Sequence, residues 1–188
     1  AKVAEEIFNQ KSALKTAQKL LSDITGLDDK SIVNACKMVT YDVWYRNPMG
    51  AMMAKGINET NPDTETIQNI RIMVERSIKF WNEFGPIKQD GFTFEPNGYT
   101  ETVNTGDGDY LTADTIWDFK VSKSKLTNKH TLQLLMYWIM GQHSGQERYK
   151  NITKLGIFNP RLNSIYTLNI DNIAFEIIEE IEKHVICY

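Results

Sequence analysis

The chain has 188 residues, 41% of them hydrophobic and 24% charged, and 21 basic against 24 acidic side chains leave a net charge of −3. That length suits one compact core, while 20 aromatic residues, 11 glycines and 5 prolines argue against a disordered, collagen-like or low-complexity chain. The densest apolar stretch, Leu132 to Met140, is interrupted by Gln133 and falls well short of the roughly 20 residues that span a bilayer, so no membrane segment is expected.

The first 21 residues, AKVAEEIFNQKSALKTAQKLL, mix charge with spaced apolar residues and lack the pattern of a secretory signal, which makes a cytoplasmic location the expectation. Cys36 and Cys187 lie far apart and are expected to be reduced. His130, His143 and His184 show no zinc-ligand spacing.

In chain order, Ile7, Leu14, Ala17 and Leu21 predict a first helix, and Ile32, Ala35, Cys36, Val39 and Val43 a second one from Ser31. The cluster Tyr41-Asp42-Val43-Trp44-Tyr45-Arg46 has a composition able to stack on bases, but core packing at a helix end is the preferred reading. Asn47-Pro48-Met49-Gly50 and residues 57–63 read as breaks. A long helix follows from Thr64 to Phe84, with Ile67, Ile70, Val74, Ile78 and Trp81 as its apolar stripe and Gly85-Pro86 as its stop.

The period then changes. GFTFEPNGYTETV reads as a hairpin around Pro96-Asn97-Gly98, followed by strands over residues 102–111 and 115–121. A very apolar helix spans Asn128 to Met140, closed by Gly141. KLGIF-NPRLN-SIYTL predicts a second hairpin with Arg161 at its tip. A last helix, N-capped by Asp171, is expected to bury Ile173, Ile177, Ile181 and Val185. This order predicts an α/β (α+β) protein with a central mixed sheet flanked by helices. The expected division is a single domain over 1–188: a helical extension at 1–60, a core at 64–170 and a C-terminal helix at 171–188.

Charge is unevenly spread. Residues 61–114 carry 4 basic and 10 acidic side chains, whereas residues 115–170 carry 8 and 2. Charge runs are most often solvated faces, but clustered carboxylates beside Lys and Arg are also what a metal-dependent enzyme acting on phosphates needs. The decisive stretch is GDGDYLTADTIWDFK, residues 106–120. A hairpin centred between Ala113 and Asp114, through a two- or four-residue loop, pairs residues whose numbers sum to 227. Asp109 then faces Asp118, with Lys120 on the same side and Trp117 and Phe119 on the other. Two opposed carboxylates repel unless a cation or proton offsets them, and a hard cation such as Mg²⁺ takes one or two carboxylates plus water and phosphate oxygens. The competing reading is a surface hairpin whose acidic residues meet only solvent.

Gly106 with Asp109, then Asp118-Phe119-Lys120 at the end of an apolar strand, then Gln133 with Tyr137 on the following helix resemble the PD-(D/E)XK nuclease superfamily, in particular its RecB-like and phage-exonuclease-like branches. The resemblance covers residues 64–170 and implies a restriction-endonuclease-like core of helix, three strands, helix and strand. It further implies a Mg²⁺- or Mn²⁺-dependent deoxyribonuclease that hydrolyses phosphodiester bonds of DNA with a metal-activated water, in phage metabolism, DNA repair or restriction. Metal ligation would fall to Asp109, Asp118 and the Phe119 carbonyl, and the catalytic lysine would be Lys120. Gln133 and Tyr137 lie one helical turn apart and share a face. The family's first acidic residue comes from the helix before the sheet. Glu75 is chosen for it, with Glu65, Glu83 and Asp42 as alternatives, and the histidine that RecB-like relatives often carry on the first helix has no counterpart before His130.

Lys123, Lys125 and Lys129 follow the Asp-x-Lys strand as candidate phosphate contacts, against the plain reading of solvated loop lysines. A catalytically silent copy of the fold, binding nucleic acid or a protein partner, is the alternative function. A two-carboxylate glycosidase leaves Lys120 without a role. The short chain leaves little room for a recognition domain, so a partner protein is expected to supply specificity, and homo-oligomers are common among similar nucleases.

Overall fold

The structure, a computed structural model, describes residues 11–51 and 53–188, without the side chains of Lys11, Trp44, Tyr45, Pro48 and Ala51. The chain divides into two compact units at Val74 and Glu75. Ile7 of the first predicted helix lies outside the described residues, as do the Trp44 and Tyr45 side chains of the aromatic cluster.

In the first unit, α1 (Lys11–Ser22) and α2 (Asp29–Arg46) are followed by a helical turn at Pro48–Ala51, a 3-10 turn at Ile57–Glu59 and the first part of α3 (Thr64–Phe84). Helix α2 begins at Asp28, whose carboxylate accepts the Ser31 N–H at 3.1 Å and the Ser31 hydroxyl at 2.6 Å. These bonds from Ser31 hold the Asp28 carboxyl below its ordinary pKa. Ala17 and Tyr41 form the buried centre, packed by Leu20, Met38 and Ile57, and the Tyr41 hydroxyl donates to the Ala13 carbonyl at 3.3 Å. Tyr41 therefore takes the core role expected for it. Val39 of the predicted stripe instead faces outward.

The second unit is built on a five-stranded mixed sheet in the order β1 (Gln89–Phe92), β2 (Gly108–Leu111), β3 (Thr115–Phe119), β4 (Lys154–Asn159), β5 (Ser164–Asn169). All neighbours are antiparallel except β3 and β4, which are parallel and joined by α4 (Asn128–Ser144). A parallel pair needs such a crossover, because a tight turn reverses the chain. The α/β class with a mixed sheet packed against helices is thus the observed one. The second half of α3 covers one face: Phe80 stacks on Phe158 with ring centroids 4.3 Å apart and meets Trp117 edge-on at 4.7 Å. Trp81 stacks on Phe119. On the other face, Leu134, Leu135, Ile139 and Met140 of α4 share a core with Leu111, Ile116, Leu155 and Ile157. Strand β3 is buried on both faces, which is why its sequence is apolar apart from Thr115 and Asp118.

Several predicted details differ. No hairpin forms about Pro96-Asn97-Gly98: β1 pairs with β2, and residues 93–107 make an irregular connection. Side chains hold this connection in place of a ladder. Tyr99 Oη accepts the Phe94 N–H and donates to the Gly106 carbonyl at 2.6 Å, while Thr100 and Tyr188 tie the segment to the end of the chain. Gly98 lies so close to the Met140 carbonyl that a Cβ there would sit 2.4 Å from it. Helix α4 runs through Gly141, which is buried against Tyr149, and ends at Gly145 with φ 72°. The last helix starts after Ala174 rather than at Asp171: a 3-10 turn at Ile170–Asn172 precedes α5 (Phe175–Ile181), which ends in a π-helical turn at Glu182–Ile186. Ile181 and Ile186 are buried there, but Ile177 is half exposed. Ile78 of α3 is likewise outward, the buried position being Phe80. Among the described residues, no helix is long and apolar enough to cross a membrane.

The parallel β3–β4 pair is clamped at its start by Asp114, whose carbonyl accepts the N–H groups of Thr153 and Lys154 and whose carboxylate takes Lys154 Nζ at 2.8 Å. Bonds from Lys154 and Thr115 hold the Asp114 carboxyl below its ordinary pKa. A group with a depressed folded pKa contributes stability above its unfolded pKa and loses it as pH falls through the folded value. Asp114→Asn is therefore expected to cost under about 1 kcal/mol at neutral pH, as a solvent-screened pair does. Urea unfolding of the two proteins is expected to converge once the pH drops below the usual carboxylate range.

Candidate functional site

The β2–β3 hairpin is tight: the Thr112 N–H donates to the Thr115 carbonyl at 3.0 Å around Ala113 and Asp114. Tyr110 pairs with Trp117 and Leu111 with Ile116. Both pairs sum to 227, the register expected from the sequence, and one step further places Asp109 opposite Asp118. Because strand side chains alternate, both carboxylates share the α4 face with Leu111 and Ile116, while Tyr110, Trp117 and Phe119 face α3.

Asp109 ends the ladder with its own side chain, since Oδ2 accepts the Phe119 N–H at 2.7 Å. In an extended strand a residue's N–H and C=O point to the same edge, so the Phe119 carbonyl also lies on the Asp109 side of β3. Asp118 is only 5% exposed. Lys120 Nζ lies 2.9 Å from Asp118 Oδ2 as an ion pair, yet off hydrogen-bonding alignment, so this buried oxygen has a charge beside it and no well-directed donor. Burial pushes the Asp118 pKa above the ordinary carboxylate value, Lys120 opposes the shift, and the Asp109 charge adds to it.

Lys120 Nζ also donates to Gln133 Oε1 at 3.1 Å, and Gln133 Nε2 donates to Tyr137 Oη at 2.8 Å. The four-residue spacing on α4 makes this possible, as it stacks Gln133 and Tyr137 on one helix face. Burial raises the Tyr137 pKa, and the carboxylates of Asp118, Asp107 and Asp109 reinforce the rise against the Gln133 bond. The amide is thereby oriented: its oxygen faces the lysine cation and its nitrogen the phenol. Asp109, Asp118, Lys120, Gln133 and Tyr137 thus gather at one end of the hairpin.

The structure does not bring Glu75 to them. Glu75 and Glu83 are exposed on α3, and the part of α3 that packs on the sheet covers the face turned away from Asp118. Glu65 and Asp42 belong to the first unit and are also exposed, Asp42 being paired with Arg46. Among the described residues, no three His, Cys, Asp or Glu side chains group closely enough to hold a metal. Lys123 and Lys125, between β3 and α4, and Lys129, in the first turn of α4, are exposed. Arg161 sits at the tip of the β4–β5 turn, where its N–H donates to Asn159 Oδ1. The bond from the Phe119 N–H to Asp109 was missed in the sequence reading. No sequence signal marks it: the predicted strand over residues 102–111 runs through Asp109, and only the observed register ends the regular pairing at Tyr110 and Trp117.

These donors fit a hard divalent cation as a two-carboxylate set. Mg²⁺ commonly takes one or two protein carboxylates and leaves its other positions to water and phosphate oxygens, and Asp118 Oδ2 is a buried oxygen lacking an aligned donor. Comparison with family models, with curated proteins and with solved structures returned no match for this chain.

Proposed function

We propose that the protein is a Mg²⁺- or Mn²⁺-dependent deoxyribonuclease with a restriction-endonuclease-like PD-(D/E)XK core, hydrolysing phosphodiester bonds of DNA. The observation that carries this reading is the line from Asp118 through Lys120 and Gln133 to Tyr137 on one sheet face, with Asp109 opposite Asp118. Asp109, Asp118 and the Phe119 carbonyl would hold the ion. When bound, Mg²⁺ supplies Lewis acidity at a phosphoryl oxygen and lowers the pKa of a coordinated water.

The chain's own residues do the rest. Gln133 holds Lys120 near Asp118, so that the ammonium is ready to donate to the negative charge that develops on phosphorus. Tyr137 fixes the Gln133 amide from the other end. Exposed Lys123, Lys125 and Lys129 would contact phosphates along the strand, an electrostatic contribution that weakens with salt. A partner protein would supply sequence specificity, and a homo-oligomer is a further assembly open to the chain.

A second reading is a silent nuclease-like module that binds nucleic acid or a protein. The missing third acidic group among the described residues favours it. One experiment separates the two: linear, circular and single-stranded DNA incubated with and without Mg²⁺ or Mn²⁺, using wild type and Lys120→Ala. Expected is metal-dependent cleavage of at least one substrate, lowered about 10²–10³-fold in the variant, as for loss of one group that stabilises transition-state charge. Absence of cleavage on every substrate, or full activity in the variant, would falsify the enzymatic reading.

A further inference from the structure

A cavity of about 340 Å³ opens at the turn end of the β2–β3 hairpin, where Leu111, Thr112 and Ala113 form part of its wall. Lys88, Gln89, Glu147, Arg148 and Asn151 complete it. Lys120 lies past the far end of β3, five residues or roughly 16 Å along the strand, so this is a separate place from the carboxylate pair.

Most polar groups in the wall are already engaged. Thr112 Oγ1 accepts the Trp117 indole N–H, Gln89 Nε2 donates to the Asp90 and Gly91 carbonyls, and Glu147 is paired with Lys150. The charges of the two cations are not balanced in the same way. Among the described residues, neither Lys88 nor Arg148 has a carboxylate within ion-pair distance. Arg148 is nonetheless held in place: its Nη2 donates to the Thr93 carbonyl at 3.1 Å, and its guanidinium carbon lies 5.3 Å from the centre of the Tyr149 ring. Its Nε is buried without an acceptor. Its contribution to the cavity wall therefore comes from the outer end of the guanidinium rather than from Nε.

We infer that this cavity binds a phosphate group, held by the Lys88 ammonium and the Arg148 guanidinium. The wall carries two cations without a carboxylate partner against one carboxylate, Glu147, that is paired with Lys150, and an oxyanion with several acceptor oxygens satisfies both cations at once. A guanidinium anchored at one nitrogen presents its remaining N–H groups in the fixed fork that suits phosphate. The volume admits a phosphate with part of its ester substituent. The inference does not rest on the nuclease reading, because neither Lys88 nor Arg148 belongs to the Asp118 end of the hairpin.

The test is calorimetric titration with inorganic phosphate at constant ionic strength, free of divalent metal, on wild type, Lys88→Gln and Arg148→Gln. Lys88 is exposed, so its variant keeps the fold, and circular dichroism checks the Arg148 variant. Expected is saturable binding by wild type, weakened about tenfold in each variant by loss of one charge-assisted contact. No saturable binding by wild type, or wild-type affinity in Lys88→Gln, would overturn the inference. A second arm compares a trinucleotide with and without a 5′-phosphate. Tighter binding of the phosphorylated trinucleotide than of inorganic phosphate assigns the site to strand ends, and equal binding assigns it to free phosphate or small phosphoesters.

Discussion

Replacing Asp118 with Asn is expected to lower metal-dependent DNA cleavage by about 10²–10³-fold, the cost of removing one preorganised electrostatic group, while leaving the protein at least nearly as stable as wild type. The two effects separate for a physical reason. Asp118 is buried, its Oδ2 lacks an aligned donor, and burial already pushes its pKa upward, so the charged form is poorly accommodated by the fold. An amide of the same shape carries no such desolvation cost, and Lys120 keeps its bond to Gln133. A carboxylate present only for structure would show the opposite pattern, with stability lost and cleavage untouched. The measurement is a pair of assays on one preparation, cleavage with Mg²⁺ or Mn²⁺ and the urea midpoint. A large fall in the midpoint, or unchanged cleavage, would sink the assignment.

Phe80→Ala is expected to be the most destabilising single change, by about 3–5 kcal/mol, the usual cost of emptying an aromatic site in a core. Phe80, on α3, is buried against the sheet and touches five rings: Trp81, Phe84, Trp117, Phe119 and Phe158. Trp117 and Phe119 flank Asp118 in sequence and hold the opposite face of β3, so their packing sets where the strand lies. Against a total stability of about 5–15 kcal/mol for a domain, such a loss is a large fraction. Urea unfolding is expected to show a lower midpoint with an unchanged slope. A loss under about 1 kcal/mol would mean that the neighbouring rings close the gap, contrary to the rigid stacking on Phe158.

The readable features of this chain were those that local periodicity controls. The α3 limits, the β4–β5 hairpin and the β2–β3 register followed from apolar spacing, turn residues and the two-residue alternation of a strand. Residues 93–107 misled because Pro96-Asn97-Gly98 is a strong turn signal, whereas Tyr99 and the approach of Gly98 to α4 decide the path of the backbone. Gly141 misled for the same reason: a glycine at the end of an apolar run resembles a cap, but here it makes room for the Tyr149 ring. Ile78 and Ile177 sit at helical spacing yet face outward, because the neighbours of α3 and α5 select other positions to bury.

What the sequence determined by itself was the alternation that puts Asp109 and Asp118 on one sheet face and the helical spacing that puts Gln133 and Tyr137 on one helix face. Both are covalent regularities of a repeating backbone, legible from residue numbers alone. Only the tertiary structure decided that α4 lies over that sheet face, so that Lys120 meets Gln133, and that α3 lies over the other, which leaves Glu75 exposed and apart from the carboxylate pair. The packing of a helix on a sheet depends on many side chains far apart in the chain, and no local pattern carries that information.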